Sequence, residues 1–234
     1  MTQVSQRFTA ALAEYPDGLL GPNQLCLSCV KVLPIDRAAI TISVESSTWE
    51  PLGSSDATAT RIEAHQAVTG EGPAIDAVER AGPVLVDDLA KEFNRWPGFT
   101  AALGDDDAGA MFAFPLQIGA IAVGVLDLYR AAPIPLESED LTAMLEVADI
   151  VTMVLLSRAP LLDANPNSAE RWAPSPASSQ IHQATGMVVA QLEVPARIAY
   201  LRLRAYAFAH DTPMTTVARD VIERRLRFNP DDER

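Results

Sequence analysis

Two cysteines stand close enough along the chain to act together. Cys26 and Cys29 have the C-x-x-C spacing, which serves zinc ligation or thiol–disulfide exchange in other proteins. Zinc would need two further ligands, and a redox pair usually opens a helix that follows a strand. Leu25, both cysteines and Val32 instead share one apolar helical stripe that ends at Pro34. The pattern favours two small core residues, and a thiol-dependent redox enzyme is the alternative function.

The other side chains that often carry chemistry do not form recognisable sets. His65 is the only histidine in residues 1–178, and a lone helical histidine is more often structural than a haem ligand. The acidic runs at 87–88 and 105–107 lack the spacing of a calcium loop, which favours solvated loops. No phosphate-binding loop, nucleophile elbow or zinc-protease helix occurs. We therefore predict no catalytic residues, no metal site and no enzyme activity, and any cofactor stays unknown.

Arginines are concentrated in the last quarter of the chain. Arg202 and Arg204 share one predicted helix, and Arg219 lies on the next one beside the apolar position Ala218. The whole chain has a net charge of -13, but residues 179–230 carry seven arginines against four acidic residues. Arginine binds phosphate bidentately and stacks on unpaired bases. The charge contrast favours nucleic-acid contact by the C-terminal part, and a solvated helix face is the alternative.

A glycine interrupts the helical pattern of IHQATGMVVAQL, residues 181–192. A mid-helix glycine costs roughly 1 kcal/mol relative to alanine, so helix propensity does not explain Gly186. Gln183 and Gly186 lie about 60° apart around a helix axis. Close approach of a phosphate backbone, or of a neighbouring helix, would explain a position without a side chain. The sequence leaves both explanations open.

The elements that must position these residues fall into two parts, separated by the proline-rich segment 157–178. Four prolines within this segment break both helical and strand patterns, which is typical of a linker. In the first part, 1–156, strands are predicted at 38–45, within 47–57, at 82–89 and as a hairpin over 110–130. Helices are predicted at 56–68 and 137–158. This order predicts an α+β domain with a largely antiparallel sheet flanked by helices.

The second part, 179–234, is predicted to be an all-α module of three helices, over 181–192, 196–210 and 214–228. Thr212 and Pro213 suit a helix start with proline at the first helical position. His182, Tyr200 and Tyr206 are aromatic side chains that can stack on bases, although core positions are favoured for them.

Signals for export or membrane insertion are not found. The N-terminus lacks a basic region followed by an uninterrupted apolar segment. No stretch of about 18 apolar residues without charge occurs. We therefore expect a cytoplasmic protein that does not contact a membrane.

The first 156 residues resemble a GAF domain. The motifs that carry the resemblance are TGEGPAIDAVERAGPVLVDDL at 69–89, RWPGF at 95–99 and FAFPLQIGAIAVGVLDLYR at 112–130. The resemblance implies a sensor that binds a small molecule, or a domain that serves only as a non-sensing dimerisation platform. A pocket is expected between the sheet and its helices. The residues proposed to line it are Trp96, Phe112, Phe114 and Tyr129. The face that carries Phe112 and Phe114 can also be simply the core.

The C-terminal part resembles the ANTAR family of RNA-binding antitermination modules. QATG at 183–186, AYLRLRAYA at 199–207 and TPMTTVARDVI at 212–222 carry this resemblance. The family commonly has lysine where this chain has Thr185. The resemblance therefore implies that this chain lacks one phosphate contact of the family. The order of the two parts is similar to that of regulators of the actinobacterial type.

Together the resemblances imply a ligand-regulated transcription antitermination protein. Its partners would be paired RNA hairpins in leader transcripts, a small molecule bound by the sensor, and a second copy of the chain in a homodimer. The residues implied or favoured for RNA contact are Gln183, Thr185, Gly186, Arg202, Arg204 and Arg219.

Overall fold

The computed structural model of this 234-residue chain describes residues 2–16, 19–44, 48–104, 107–119, 121–158 and 176–229. Most of the predicted linker, 159–175, therefore lies outside the described residues. The described part of the chain forms a sheet with helices on both faces, followed by a group of three helices.

Five strands form the sheet: β1 (Arg37–Val44), β2 (Thr48–Ser54), β3 (Val84–Val86), β4 (Ala110–Ile118) and β5 (Ile121–Arg130). Their order is β2-β1-β5-β4-β3, and every neighbouring pair is antiparallel. Apolar and β-branched residues favour these extended segments, because such side chains pack well on a pleated surface. The predicted α+β architecture with a largely antiparallel sheet is confirmed.

The first face of the sheet is covered by α1 (Gln3–Ala13), α2 (Pro22–Val32) and α6 (Ser138–Arg158). Proline begins α2, where its missing N–H would have no helical partner. Phe112 and Phe114 of β4 project into this core together with Leu126 and Leu128 of β5. Among the described helices, none is long and apolar enough to cross a membrane.

The opposite face is covered by α3 (Ala57–Thr69), α4 (Pro73–Glu79), a 3-10 turn (Leu89–Lys91) and α5 (Pro97–Ala102). Asp56 caps α3 by accepting a hydrogen bond from the Ala59 amide at 2.7 Å. The helix ends at Gly70, whose φ of +70° is the left-handed conformation that favours glycine. Met111 and Tyr129 lie on this face because side chains alternate along each strand.

The C-terminal helices are α7 (Pro176–Leu192), α8 (Ala196–Ala209) and α9 (Met214–Ile222). Ala184 and Val188 of α7 pack against Leu203 of α8 and Val217 of α9 in a separate apolar core. The three predicted helices are thus present. Val68 of α3 also packs against this core, so the C-terminal helices contact the helix layer on the second face of the sheet.

Two helix boundaries and one capping position differ from the predictions. α7 begins at Pro176, inside the predicted linker. α9 stops at Ile222 rather than near residue 228, because Arg224 takes a φ of +60° and turns the chain away. Pro213 precedes the first turn of α9 as its N-cap instead of occupying the first helical position.

Candidate functional site

The residues favoured for RNA contact differ in their exposure. Gln183, Gly186 and Arg219 are exposed, whereas Thr185, Arg202 and Arg204 are half-buried. The three exposed residues lie on α7 and α9, and these two helices pack directly on each other.

Gly186 has open space where its side chain would be. No described atom lies within 4 Å of the position that a Cβ would take there. Close packing against a described helix of the same chain therefore does not explain this glycine. The other explanation, close approach of a binding partner to the main chain, is compatible with the geometry.

Thr185 uses its hydroxyl within α7. The Oγ1 atom donates a hydrogen bond to the Ile181 carbonyl at 2.8 Å. Since a hydroxyl has one donor hydrogen, Thr185 can offer a phosphate no hydrogen bond in this rotamer. At the position where the ANTAR family commonly has lysine, this chain therefore offers neither a positive charge nor a free hydroxyl proton.

Arg204 reaches back to the sheet-containing part of the chain. Its guanidinium lies against Gly70 at the C-terminal end of α3, and a Cβ added to Gly70 would be 2.9 Å from Nη1. Helix C-termini carry a partial negative charge, so this is a favourable place for a cation. Arg204 is therefore an intramolecular contact in this structure.

His182 makes a second contact between the two parts. Its Nε2 atom meets the carboxylate of Glu50 on β2, and Glu50 is only 4% exposed. Burial raises the pKa of Glu50, and the neighbouring imidazole opposes that shift. His182 is thus engaged with the sheet rather than presented for stacking on bases.

The two tyrosines of the C-terminal helices are used internally. Tyr200 is buried in the three-helix core, as favoured by the sequence. Tyr206 stacks on His210 with ring centroids 3.9 Å apart, and it meets the edge of Phe228 at 5.6 Å. Both rings are therefore engaged in contacts within the C-terminal helices.

The structure corrects the grouping of the four aromatic residues that were expected to line one sensor pocket. All four are buried, but Phe112 and Phe114 belong to the core under α1, α2 and α6. Trp96 and Tyr129 belong to the core on the opposite face. Alternation along β4 and β5 causes this separation: Phe112 pairs with Leu128, whereas Tyr129 pairs with Met111.

The two cysteines do not have the environment of a redox pair. Cys26 and Cys29 are free thiols with 0% exposure on α2. Burial raises the pKa of both thiols, and the reactive thiolate is therefore disfavoured. The geometry favours the core interpretation over the redox enzyme.

The acidic runs are more structured than expected. Asp107 is buried, accepts a hydrogen bond from the Gly104 amide at 2.8 Å and pairs with Arg61, so it is not a solvated loop residue. Asp88 caps the 3-10 turn and pairs with Lys91 at 2.8 Å. Positions 105–106 lie outside the described residues. Over the described ranges, no three potential metal-ligating side chains come together.

A buried acidic cluster, formed by Glu63 of α3 and Asp127 of β5 with their neighbours, was not predicted. Glu63 accepts hydrogen bonds from the Thr41 hydroxyl at 2.7 Å, from the Gln66 amide at 3.1 Å and from the Tyr129 hydroxyl. Asp127 is 0% exposed. The sequence did contain a signal: a single carboxylate in the middle of the apolar run VLDLY at 125–129.

The two carboxyl groups of this cluster interact. Burial raises the pKa of Asp127 well above its usual range, and the nearby Glu63 raises it further. Burial also raises the pKa of Glu63, whereas its hydrogen-bond donors lower it. Neither Asp127 oxygen accepts a hydrogen bond from the described residues. A protonated Asp127 can instead donate one to Glu63.

The raised pKa gives a pH prediction. The folded protein keeps a proton on Asp127 that the unfolded chain releases above about pH 4. The free energy of unfolding should therefore fall, through this group, as pH rises toward the folded-state pKa. Asp127→Asn removes the titration and keeps an N–H donor for Glu63. We expect urea unfolding between pH 5 and 8 to show that Asp127→Asn has a larger free energy of unfolding than the original protein. This difference should grow with rising pH by up to about 1.4 kcal/mol per pH unit.

The control for this prediction is Asp149→Asn, the same change at an exposed position of α6. Its stability should run parallel to that of the original protein across the same pH range. If the free energy of unfolding of Asp127→Asn also changed with pH in parallel with that of the original protein, Asp127 would not hold the extra proton.

Comparisons with known proteins identify the fold. No protein-family model and no curated protein sequence matches the chain. The GAF domain of a phosphoenolpyruvate-protein phosphotransferase from Coxiella burnetii has a TM-score of 0.53 at 14% identity, covering 68% of this chain and 94% of that one. The GAF domain of an Acinetobacter phosphoenolpyruvate-protein phosphotransferase has a TM-score of 0.51 at 11% identity, with coverages of 70% and 100%. The chain therefore contains a GAF-like α+β fold.

Proposed function

We propose that this protein is a non-enzymatic transcription antitermination regulator, in which a GAF-like sensor (1–156) controls RNA binding by the three C-terminal helices (179–234). Its RNA partners are paired hairpins in leader transcripts, and it acts in the cytoplasm as a homodimer. The observation that carries the proposal is the exposed, unfilled position of Gly186 on α7, in a part of the chain that is rich in arginine.

The physical argument starts from what a phosphate backbone needs. A phosphate can approach a helix main chain closely only where no side chain intervenes, and arginines nearby supply the charge. Gly186 and Gln183 are exposed on α7, and Arg219 is exposed on the adjacent α9. The resemblance of these segments to ANTAR modules supports the same assignment.

The direct test is binding of the full chain to a double-hairpin RNA, measured by fluorescence anisotropy over a series of salt concentrations. We expect a preference over a scrambled RNA and a steep fall of affinity with salt. A Val68→Asp variant, which places a charge where α3 meets the C-terminal core, provides a second form with the helices released. The proposal would be overturned if the original protein and the Val68→Asp variant each bound the double-hairpin RNA no more tightly than the scrambled RNA.

Gly186→Ala should change stability and RNA binding in opposite directions. Alanine fills open space and favours the helix, so we expect the free energy of unfolding to rise by about 0.5–1 kcal/mol. The new methyl group should block the phosphate and lower RNA affinity by about tenfold, the equivalent of 1.4 kcal/mol. Urea unfolding and anisotropy on the same preparation check both effects. A stabilised variant with unchanged RNA affinity would exclude this face of α7 from the interface.

Thr185→Lys should raise RNA affinity. It restores the charge common in the ANTAR family and removes a hydroxyl that is used within the helix. One added phosphate contact should steepen the dependence of log Kd on log salt by about one unit. Thr185→Gln is the uncharged control of similar length, and it should leave the salt dependence unchanged. Equal slopes for the lysine and glutamine variants would contradict a phosphate near this position.

A second candidate for the GAF-like part is a non-sensing dimerisation platform. Burial of Trp96, Phe112, Phe114 and Tyr129 in two packed cores favours it, because these side chains fill the space that a ligand would need. Sedimentation equilibrium of the full chain tests this candidate. A monomer at tens of micromolar would exclude it.

A further inference from the structure

A cleft of about 440 Å³ lies between the GAF-like part and the C-terminal helices. α3 and α5 form one side, and the end of α8 with the turn before α9 forms the other. The apolar part of the lining consists of Ala64, Val68, Ala102 and Ala207. Phe208 also lines the cleft, and it is 58% exposed. The volume falls within the range of about 300–1,000 Å³ that is typical of small-molecule sites.

Two polar side chains face this cleft from opposite parts of the chain. His65 lies on α3, and Asp211 lies in the turn between α8 and α9. Neither side chain has a hydrogen-bond or ion-pair partner in the ranges that the structure describes. They are close enough that the Asp211 charge acts on the imidazole. Both groups are therefore available to a ligand.

The charge of the cleft is set by Asp211. Arg61, the cationic lining residue, is already paired with the buried Asp107. Burial lowers the pKa of His65, which leaves its imidazole neutral at neutral pH. The Asp211 carboxylate is then the one uncompensated charge among these groups, and it favours a cation.

The backbone holds Asp211 in a defined position. Its φ of +49° is the left-handed conformation, which only short polar residues and glycine adopt readily. The amide of Asp211 donates to the Phe208 carbonyl at 3.2 Å, and the amide of Thr212 donates to the Ala207 carbonyl at 2.9 Å. The backbone thus places the exposed Asp211 side chain at the edge of an apolar cleft.

We propose that this cleft binds a small cationic amphiphile, with an ammonium group on Asp211, a hydrogen bond to the ring of His65 and an aromatic or branched body against the apolar wall and Phe208. The site is separate from the packed core of the GAF-like part, and it does not depend on RNA binding. Because both parts of the chain line the cleft, a bound ligand contacts the GAF-like part and the C-terminal helices at the same time.

The test is isothermal titration calorimetry of the full chain with tryptamine, an indole ring carrying one ammonium group. We expect saturable binding at a single site. Asp211→Asn keeps the left-handed backbone, since asparagine tolerates it, and should weaken tryptamine binding at least tenfold. Asp149→Asn, the same change at the exposed α6 position, should leave affinity unchanged. Indole-3-propionate, with a carboxylate in place of the ammonium, should bind at least tenfold more weakly than tryptamine.

Proton–carbon NMR of the histidine rings locates the binding site. The chain has three histidines, and tryptamine should shift the ring signals of His65 while leaving those of His182 in place. No saturable binding, equal affinity of the Asp211→Asn variant, or equal affinity for indole-3-propionate would each overturn the proposal. Binding that leaves the His65 signals unmoved would overturn it as well.

Discussion

Glu63→Ala is expected to lower the free energy of unfolding by about 3–5 kcal/mol, because it removes the acceptor on which a buried polar cluster depends. The hydroxyls of Thr41 and Tyr129 and the amide of Gln66 donate to Glu63. All three side chains are buried, so water does not replace the lost acceptor. Asp127 would also lose the neighbouring carboxylate that can accept its proton. Domains of ordinary stability have about 5–15 kcal/mol in total, so the loss is a large share.

The measurement is urea unfolding at pH 7 with linear extrapolation to water. Glu79→Ala is the matched control, because it makes the same change at an exposed position of α4. We expect the control to stay within about 0.5 kcal/mol of the original protein. A loss below about 1 kcal/mol for Glu63→Ala would mean that the cluster repacks or admits water.

Arg219→Ala is expected to weaken binding to double-hairpin RNA by about 1–3 kcal/mol, or about 5- to 150-fold. Arg219 is exposed on α9, next to the buried Ala218 that anchors the helix in its core. Its guanidinium is therefore held near the surface by a packed helix while staying accessible to a partner. Because the side chain is exposed, the substitution should leave the free energy of unfolding nearly unchanged.

Arg225→Ala is the control for this prediction. Arg225 is also exposed, but it pairs with Asp220 at 2.7 Å and with Glu223, so part of its charge is already neutralised. We expect a smaller loss of RNA affinity for this variant than for Arg219→Ala. Equal losses would mean that the RNA responds to the total charge of the region rather than to a contact with Arg219.

The strands were predictable because each is a local pattern. The apolar run of residues 110–130, with a glycine-containing turn, predicts a hairpin, and β4 and β5 form one. The helices α4 and α5 were not predicted. They span seven and six residues, which is too short for a helical period to emerge from the sequence. The early end of α9 depends on one left-handed residue, Arg224, which no local pattern marks.

The functional residues were harder to predict because their environments depend on tertiary contacts. The Glu63–Asp127 pair joins residues 64 positions apart along the chain, and no spacing rule connects a helix to a distant strand. Asp107 resembles a solvated acid in sequence, but Arg61 of α3 makes it a buried ion-pair partner. The exposure of Gly186, by contrast, follows from the buried positions Ala184 and Val188 on the same helix. That face could be derived from the helical period alone.

Arg204 has a contact with Gly70 in the structure and a proposed contact with RNA, and the two exclude each other. Its guanidinium cannot lie against Gly70 and hold a phosphate at the same time. Under the proposed function, RNA contacts Arg204 only in molecules whose C-terminal helices have separated from α3. RNA therefore binds only that fraction of the protein. The apparent Kd for RNA then equals the intrinsic Kd divided by that fraction. While that fraction is small, a signal that changes it tenfold changes the apparent Kd tenfold, without altering a single contact between protein and RNA.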